Sequence, residues 1–156
     1  MQMRNYFDSG ITKPYAFRKE QLIKLQQAVK KYEQPLHEAL FVDLKKSPEE
    51  CWVTETGFLL SELSNILKHL KGWMQPESVS TNLVNLPSKS FILQEPLGVV
   101  LIISPWNYPF QLLMTPLAGA MAAGNCVILK SSEFAPATSA VMKQMIEETF
   151  DKNYIQ

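Results

Sequence analysis

Net charge is missing from this chain: fifteen Lys and Arg balance fifteen Asp and Glu. No basic field therefore points to nucleic acid or to an acidic membrane surface. Cysteine is scarce. Cys51 and Cys126 are too few for a disulfide framework, and the expectation is a reducing, cytoplasmic compartment. Histidine is equally rare; His37 and His69 lie too far apart in sequence to make a ligand motif, so no metal is expected. The G-x-G-x-x-G turn that holds dinucleotide pyrophosphates is absent. Residues 1–10 have no apolar core, and no secretory signal is expected there.

Charge is also absent from Pro96 to Leu129, which raises a membrane span as one reading. A span needs about 20 mostly continuous apolar residues. Pro105, Pro109 and Pro116, with Asn107, Gly119, Gly124 and Asn125, divide this stretch into short pieces. Buried parallel strands and a buried helix also lack charge, and that is the reading adopted. With 46% hydrophobic and 19% charged residues, the chain has the composition of a globular domain rather than a disordered segment. Its 156 residues suffice for one domain, on the usual scale of roughly 100–200.

What is present falls into two halves. The first reads as helical. Leu22, Leu25, Ala28, Val29 and Tyr32 recur at helical spacing, and Leu36, Ala39, Leu40 and Leu44 continue the stripe past Pro35, a break or a restart. Ser47-Pro48-Glu49-Glu50 is a helix start, with Ser47 as cap, Pro48 in the first turn and Glu50 reaching back to the cap amide. Leu59, Leu63, Ile66, Leu67 and Leu70 form the next apolar face, and Gly72 marks its stop. Lys30, Lys31, Lys45 and Lys46 read as a solvated face. Trp52, Trp73, Met114, Met121, Met142 and Met145 read as core.

From Ser78 the pattern turns β-prone. Residues 79–86 and 91–95, separated by Pro87-Ser88-Lys89, predict an irregular hairpin or two extended arms. A strand over 99–103, a small-residue helix over 110–123 closed by Gly124-Asn125, a strand over 126–129 and a helix over 136–150 follow. The expected fold class is α/β: a helical amino-terminal part (1–78), an extended arm (79–95), and the first βαβα unit of a doubly wound, Rossmann-like parallel sheet (96–156). Tyr154-Ile155 can begin a third strand. A two-stranded parallel sheet leaves much apolar helix surface uncovered, so the pattern reads as truncated.

In open α/β sheets, ligands gather outside the carboxyl ends of the strands. Two polar clusters are expected there: Ser104-Pro105-Trp106-Asn107 after the first strand, and Lys130 with Glu133 after the second. Pro105 and Pro109 fix the backbone around Asn107. An amide held that rigidly can donate to an oxyanion, and such donors are worth about 10²–10³ in rate. From spacing alone the plainer reading is a turn Asn bonded to its own backbone. Lys130 and Glu133 can hydrogen-bond vicinal hydroxyls, and a Glu at this place suits a ribose. An exposed ion pair, or a Glu in the first turn of the next helix, fits equally. Cys126 reads as a small buried hydrophobe, and neither cysteine has a neighbouring His or Gly-rich turn to activate it. No Ser/His/Asp set and no paired acid–base carboxylates stand out.

Taken together, Glu95-Pro-Leu-Gly-Val, Pro105-Trp-Asn-Tyr-Pro, Ala123-Gly-Asn and Lys130-Ser-Ser-Glu133 resemble the aldehyde dehydrogenase superfamily in order and spacing. A Pro-Trp-Asn turn followed some way on by Lys-x-x-Glu is specific to that superfamily. The short helical start looks most like its class 3 or fatty-aldehyde branch. The resemblance covers nearly the whole chain but only the first third of such an enzyme. It implies an NAD(P)-dependent oxidoreductase that converts an aldehyde to a carboxylic acid through a covalent thiohemiacetal. There a Cys thiolate attacks the aldehyde, hydride passes to the nicotinamide, and a Glu activates water. By position, Asn107 would be the side-chain donor of the oxyanion hole. Ile103, Ser104, Pro105 and Trp106 would line the cofactor cleft, and Lys130 and Glu133 would contact the adenosine ribose. NAD is favoured over NADP, because Glu133 should repel a 2′-phosphate.

By the same resemblance, residues 79–95 would match an oligomerisation arm, and a homodimer is implied. The family's nucleophilic Cys, its general-base Glu and its Gly-rich turn all come later than residue 156. The catalytic domain is therefore expected to be absent and the chain alone to be inactive. Position 131, often Pro in the family, is Ser here. Three other readings stay open. An acylating, coenzyme A-dependent relative would share this segment. A non-catalytic binding or regulatory module, complete at residue 156, would unfold cooperatively and stay monodisperse, where a fragment would expose apolar surface and aggregate. A membrane-associated helical protein would float with liposomes.

Overall fold

A computed structural model describes residues 2–156. The helical half forms α1 (Gln2–Asp8), α2 (Tyr15–Lys31), α3 (Glu33–Leu44), α4 (Pro48–Cys51), a π-helical turn (Trp52–Thr56) and α5 (Gly57–Trp73). Pro35 lies in the first turn of α3, where a missing N–H breaks no helical bond, so it accompanies a restart at Tyr32. Ser47 caps α4 by accepting from the Glu50 amide at 3.2 Å. The Glu50 carboxylate makes no return bond to the cap amide among the described residues. The neighbouring Glu49 carboxyl is held below the usual carboxylate range by its own backbone N–H first and by Ser47 second.

The apolar stripes meet in one core. Leu22, Leu25 and Val29 of α2, Leu36 of α3, and Leu59, Leu63 and Leu70 of α5 pack with residues from both later helices. Each such side chain, fully buried, contributes about 1.5–3 kcal/mol. The four methionines read as core are indeed buried there. Two expectations need correction. Trp52 and Trp73 are half exposed rather than core, because the π turn and the end of α5 carry them outward. Lys46 is buried rather than solvated, because Lys45 ends α3 in the left-handed conformation (φ 58°) and Lys46 pairs with buried Glu55.

The arm is a hairpin with shorter strands than the sequence suggests. β1 (Glu77–Val79) and β2 (Ser90–Ile92) run antiparallel, with Glu77 opposite Ile92 and Val79 opposite Ser90. Between them a 3₁₀ turn (Leu83–Asn85) replaces the expected strand, and Asn82 Oδ1 caps it by accepting from the Val84 amide. Then come β3 (Val99–Ile103), α6 (Gln111–Ala123), β4 (Cys126–Lys130) and α7 (Pro136–Thr149). β3 and β4 are parallel, as the βαβ pattern requires. A parallel bridge joins Val127 to Ile155, and Leu129 N donates to Gln156 O at 2.7 Å, so 154–156 lie against the free edge of β4.

Two of the quoted motifs meet physically. Asn125 Oδ1 accepts from Gly98 N at 2.9 Å, and Asn125 Nδ2 donates to Ala120 O. Gly124 (φ 89°) closes α6 in the left-handed region that favours glycine. α7 has no cap of its own; Asp43 of α3 supplies one. Among the described residues, no helix is long and apolar enough to cross a membrane. Apolar surface stays open on the sheet at Leu101 and Ile103, on the hairpin at Leu83, Val84 and Phe91, and in a groove of about 710 Å³ between α6 and α7.

Candidate functional site

The two polar clusters lie side by side because β3 and β4 end together. Register pairs Ile103 with Lys130, and the ladder runs one bond further, from Ser104 N to Lys130 O at 3.0 Å. Ser104 is buried, and its hydroxyl has no hydrogen-bond partner among the described residues. Beyond it, Pro105, Trp106 and Asn107 turn out into solvent, while Pro109 and Phe110 plunge back into the core. Phe110 is fully buried and so anchors the far side of the turn.

Tyr108 completes the turn with φ 50°, a left-handed conformation rare for a bulky residue. A residue held there costs about 1–3 kcal/mol and persists only where its surroundings enforce it. The Tyr108 carbonyl then accepts from Leu112 N at 2.9 Å and starts α6. The Asn107 side chain is exposed, and its amide takes part in no hydrogen bond among the described residues. Its donors are free toward solvent.

Across the strand ends, Lys130 Nζ stands 3.0 Å from Glu133 Oε2 and 2.8 Å from the Ser131 carbonyl. Both side chains are exposed, so the pair contributes little to stability and is open to exchange for another partner. The Glu133 carboxyl lies below its usual range, held there by its own backbone N–H and then by Lys130, so it is an acceptor at neutral pH. Ser132 fixes this loop: its hydroxyl accepts from Phe134 N, and its carbonyl accepts from Ser139 Oγ. Ile103 and Trp106 offer exposed apolar faces beside these polar groups. The cluster can hold a vicinal diol between a carboxylate and an ammonium. It can also present an amide to a developing negative charge.

Neither cysteine suits nucleophilic chemistry. Burial pushes both thiols up to about 11. His37 Nε2 lies 3.1 Å from Thr56 Oγ1 and His69 stacks on Trp73, and no metal-holding group occurs among the described residues.

Sequence reasoning missed a second layer. Lys46 Nζ is 2.6 Å from Glu55 Oε1, and Glu55 Oε2 accepts from Gln111 N at 2.8 Å. The signal for Glu55 was its place on an apolar stripe, between Cys51 and Leu59 at spacings of four. Lys46 had none, because its inward turn depends on the conformation of Lys45.

Residues 3–156 match the aldehyde dehydrogenase family. The 4,4′-diaponeurosporen-aldehyde dehydrogenase of Staphylococcus aureus is 49% identical over 151 residues, covering 97% of this chain and 33% of that protein. Aldehyde dehydrogenase family 3 member H1 of Arabidopsis thaliana is 43% identical over 155 residues, covering 99% of this chain and 32% of that protein. Among solved structures, the substrate-bound state of Staphylococcus aureus AldH superposes with a TM-score of 0.97 at 48% identity, covering 99% of this chain and 34% of that one. A betaine aldehyde dehydrogenase of Staphylococcus aureus in complex with NAD⁺ gives 0.81 at 26% identity, covering 99% and 30%. The chain thus spans about a third of the length of the relatives it matches.

Proposed function

The chain belongs to the aldehyde dehydrogenase family, and from that premise we propose that its residues form the cofactor-side part of an enzyme oxidising an aldehyde to a carboxylic acid. One observation carries the reading. The bond from Ser104 N to Lys130 O sets a free Asn107 amide on the same sheet end as the exposed Lys130–Glu133 pair. In this role Asn107 Nδ2 donates to the aldehyde oxygen as that oxygen gains negative charge under attack by a thiolate from a later part of the protein. The product of that attack is a covalent thiohemiacetal.

The residues present fit a nicotinamide dinucleotide. Glu133 would accept from and Lys130 would donate to neighbouring hydroxyls of the adenosine ribose, and Ile103, Ser104, Pro105 and Trp106 would line the cleft near the nicotinamide end. When the cofactor is bound, its nicotinamide supplies the hydride acceptor. NAD is the proposed form, because the Glu133 carboxylate repels a 2′-phosphate. Residues 79–95 are proposed as an oligomerisation arm of a homodimer, supported by exposed Leu83, Val84 and Phe91. A reducing, cytoplasmic setting is supported by two unpaired cysteines.

The test is the single-turnover rate of acyl-enzyme formation in the full-length enzyme. Asn107→Ala is expected to lower it about 10²-fold or more. An unchanged rate would return Asn107 to a turn residue. Glu133→Gln is expected to weaken cofactor binding; slowed chemistry with unaltered cofactor affinity would count against the ribose role. The 156-residue chain alone is expected to oxidise no aldehyde.

A further inference from the structure

The chain that follows Asn107 is held at two points by one buried ion pair. Lys46 Nζ lies 2.6 Å from Glu55 Oε1, with the two side chains 10% and 0% exposed. The same ammonium sits 4.0 Å from the centroid of the Tyr108 ring, the residue directly after Asn107. The other Glu55 oxygen accepts from Gln111 N at 2.8 Å, at the first residue of α6. Tyr108 is also the residue held at φ 50°.

Stability alone does not account for this arrangement. Taking two charges out of water is costly, and a well-packed apolar pair serves stability as well or better. Glu55 sits on a stripe whose neighbours are Cys51 and Leu59, both fully buried, so an apolar residue would fit the pattern. An ion pair does supply direction. The carboxylate fixes where α6 begins, and the ammonium fixes the plane of the Tyr108 ring by a cation–π contact. Local geometry supports the same role, because the π turn carries Glu55 inward and left-handed Lys45 carries Lys46 inward.

We infer that the Lys46–Glu55 pair is a positioning device that holds the Asn107 amide in its donating orientation; this rests on the reading of Asn107 as an oxyanion donor. The pair touches neither substrate nor cofactor. It acts through Tyr108 and Gln111, which follow Asn107 and tie the turn to the start of α6.

The experiment is a double-mutant cycle in the full-length enzyme, read by acyl-enzyme formation, cofactor affinity and thermal unfolding. The neutral pair Lys46→Met with Glu55→Gln keeps an acceptor for Gln111 N and leaves no lone buried charge. It is expected to fold, to bind cofactor within about twofold of the parent, and to lose about 10-fold or more in acylation rate, within the roughly 10²-fold that a misplaced catalytic group can cost. Added to Asn107→Ala, it is expected to cause no further loss. Lys46→Arg with Glu55 intact is expected to recover most of the rate. A folded neutral-pair variant that acylates within twofold of the parent overturns the inference, and so does an equal loss in the Asn107→Ala background. Should the neutral pair not fold, Tyr108→Leu in the same cycle decides by the same criteria. An Asn107→Ala variant of unchanged rate overturns the oxyanion reading itself, and so separates the two failures.

Discussion

Asp43 offers a sharp test of how the helical half supports the strand–helix unit. It stands in α3, yet its carboxylate caps α7 from 94 and 95 positions away. Asp43 Oδ1 accepts from Ala137 N at 3.2 Å, and Oδ2 accepts from Thr138 N at 2.7 Å and Thr138 Oγ1 at 2.8 Å. Thr138 is fully buried, so water cannot replace these bonds without rearrangement. Asp43→Ala therefore removes a cap, at about 1 kcal/mol. It also leaves a buried hydroxyl and amide unpaired, at about 1–3 kcal/mol. The expected total is about 3 kcal/mol. Asp43→Asn keeps one acceptor oxygen but loses the charge at the helix N-terminus, and should cost about 1 kcal/mol. In a Thr138→Val background, Asp43→Ala should cost about 1 kcal/mol less, because one donor has gone. Urea unfolding followed by far-ultraviolet circular dichroism reads the parent and all four variants. If Asp43→Ala costs less than about 1 kcal/mol, the cap is not stabilising α7 and the reasoning fails.

Three further outcomes are expected. The Glu148 carboxyl is drawn down to about 2 by the Tyr32 hydroxyl, the Lys31 ammonium and the Gln144 amide. Its folded pKa is depressed, so its contribution is complete above the ordinary carboxylate range and is lost as pH falls toward about 2; a carboxyl-carbon NMR titration with a midpoint above 4 would refute it. With thiols pushed up to about 11 and no exposure, Cys51 and Cys126 should resist a disulfide reagent at neutral pH until the chain unfolds, and rapid native labelling would contradict that burial. Gly124→Ala should destabilise by about 2 kcal/mol, because φ 89° strains an L side chain and its Cβ would stand 2.7 Å from the Arg18 guanidinium carbon. A neutral urea midpoint for that variant would show that the turn at Gly124 relaxes freely.

The apolar periodicity of α2 and α5 was legible because propensity and burial agree there: positions three and four apart face one core. The βαβα order was legible for the same reason, and the shared edge of 154–156 follows from it. Other features were hidden by single backbone events that no pattern encodes. Left-handed Lys45 reverses the side on which Lys46 lies, and one π turn shifts the face of every residue from Trp52 to Thr56. Trp52 reads as core on a regular helix and stands half exposed on this one. Asp43 was unreadable for a different reason: its partners lie on α7, a tertiary neighbour that spacing does not reveal.

The motif residues divide into two physical kinds, and the division supports the proposed roles. Gly98, Gly124 and Asn125 are committed to the fold. Gly98 and Gly124 adopt positive φ, and the Asn125 amide ties Gly98 to the end of α6. Changing them alters packing, and nothing about a ligand needs to be invoked. Asn107, Trp106 and Glu133 instead direct their side chains to solvent, and Asn107 precedes the left-handed Tyr108. Strain at Tyr108 and a buried ion pair behind it stabilise no contact that Asn107 itself makes within the chain. A costly support beneath an unpartnered amide is what the proposed oxyanion role asks for, because the donor must be in place before its partner arrives. That asymmetry separates Asn107 from Asn125, although each is an asparagine just past the end of a regular element.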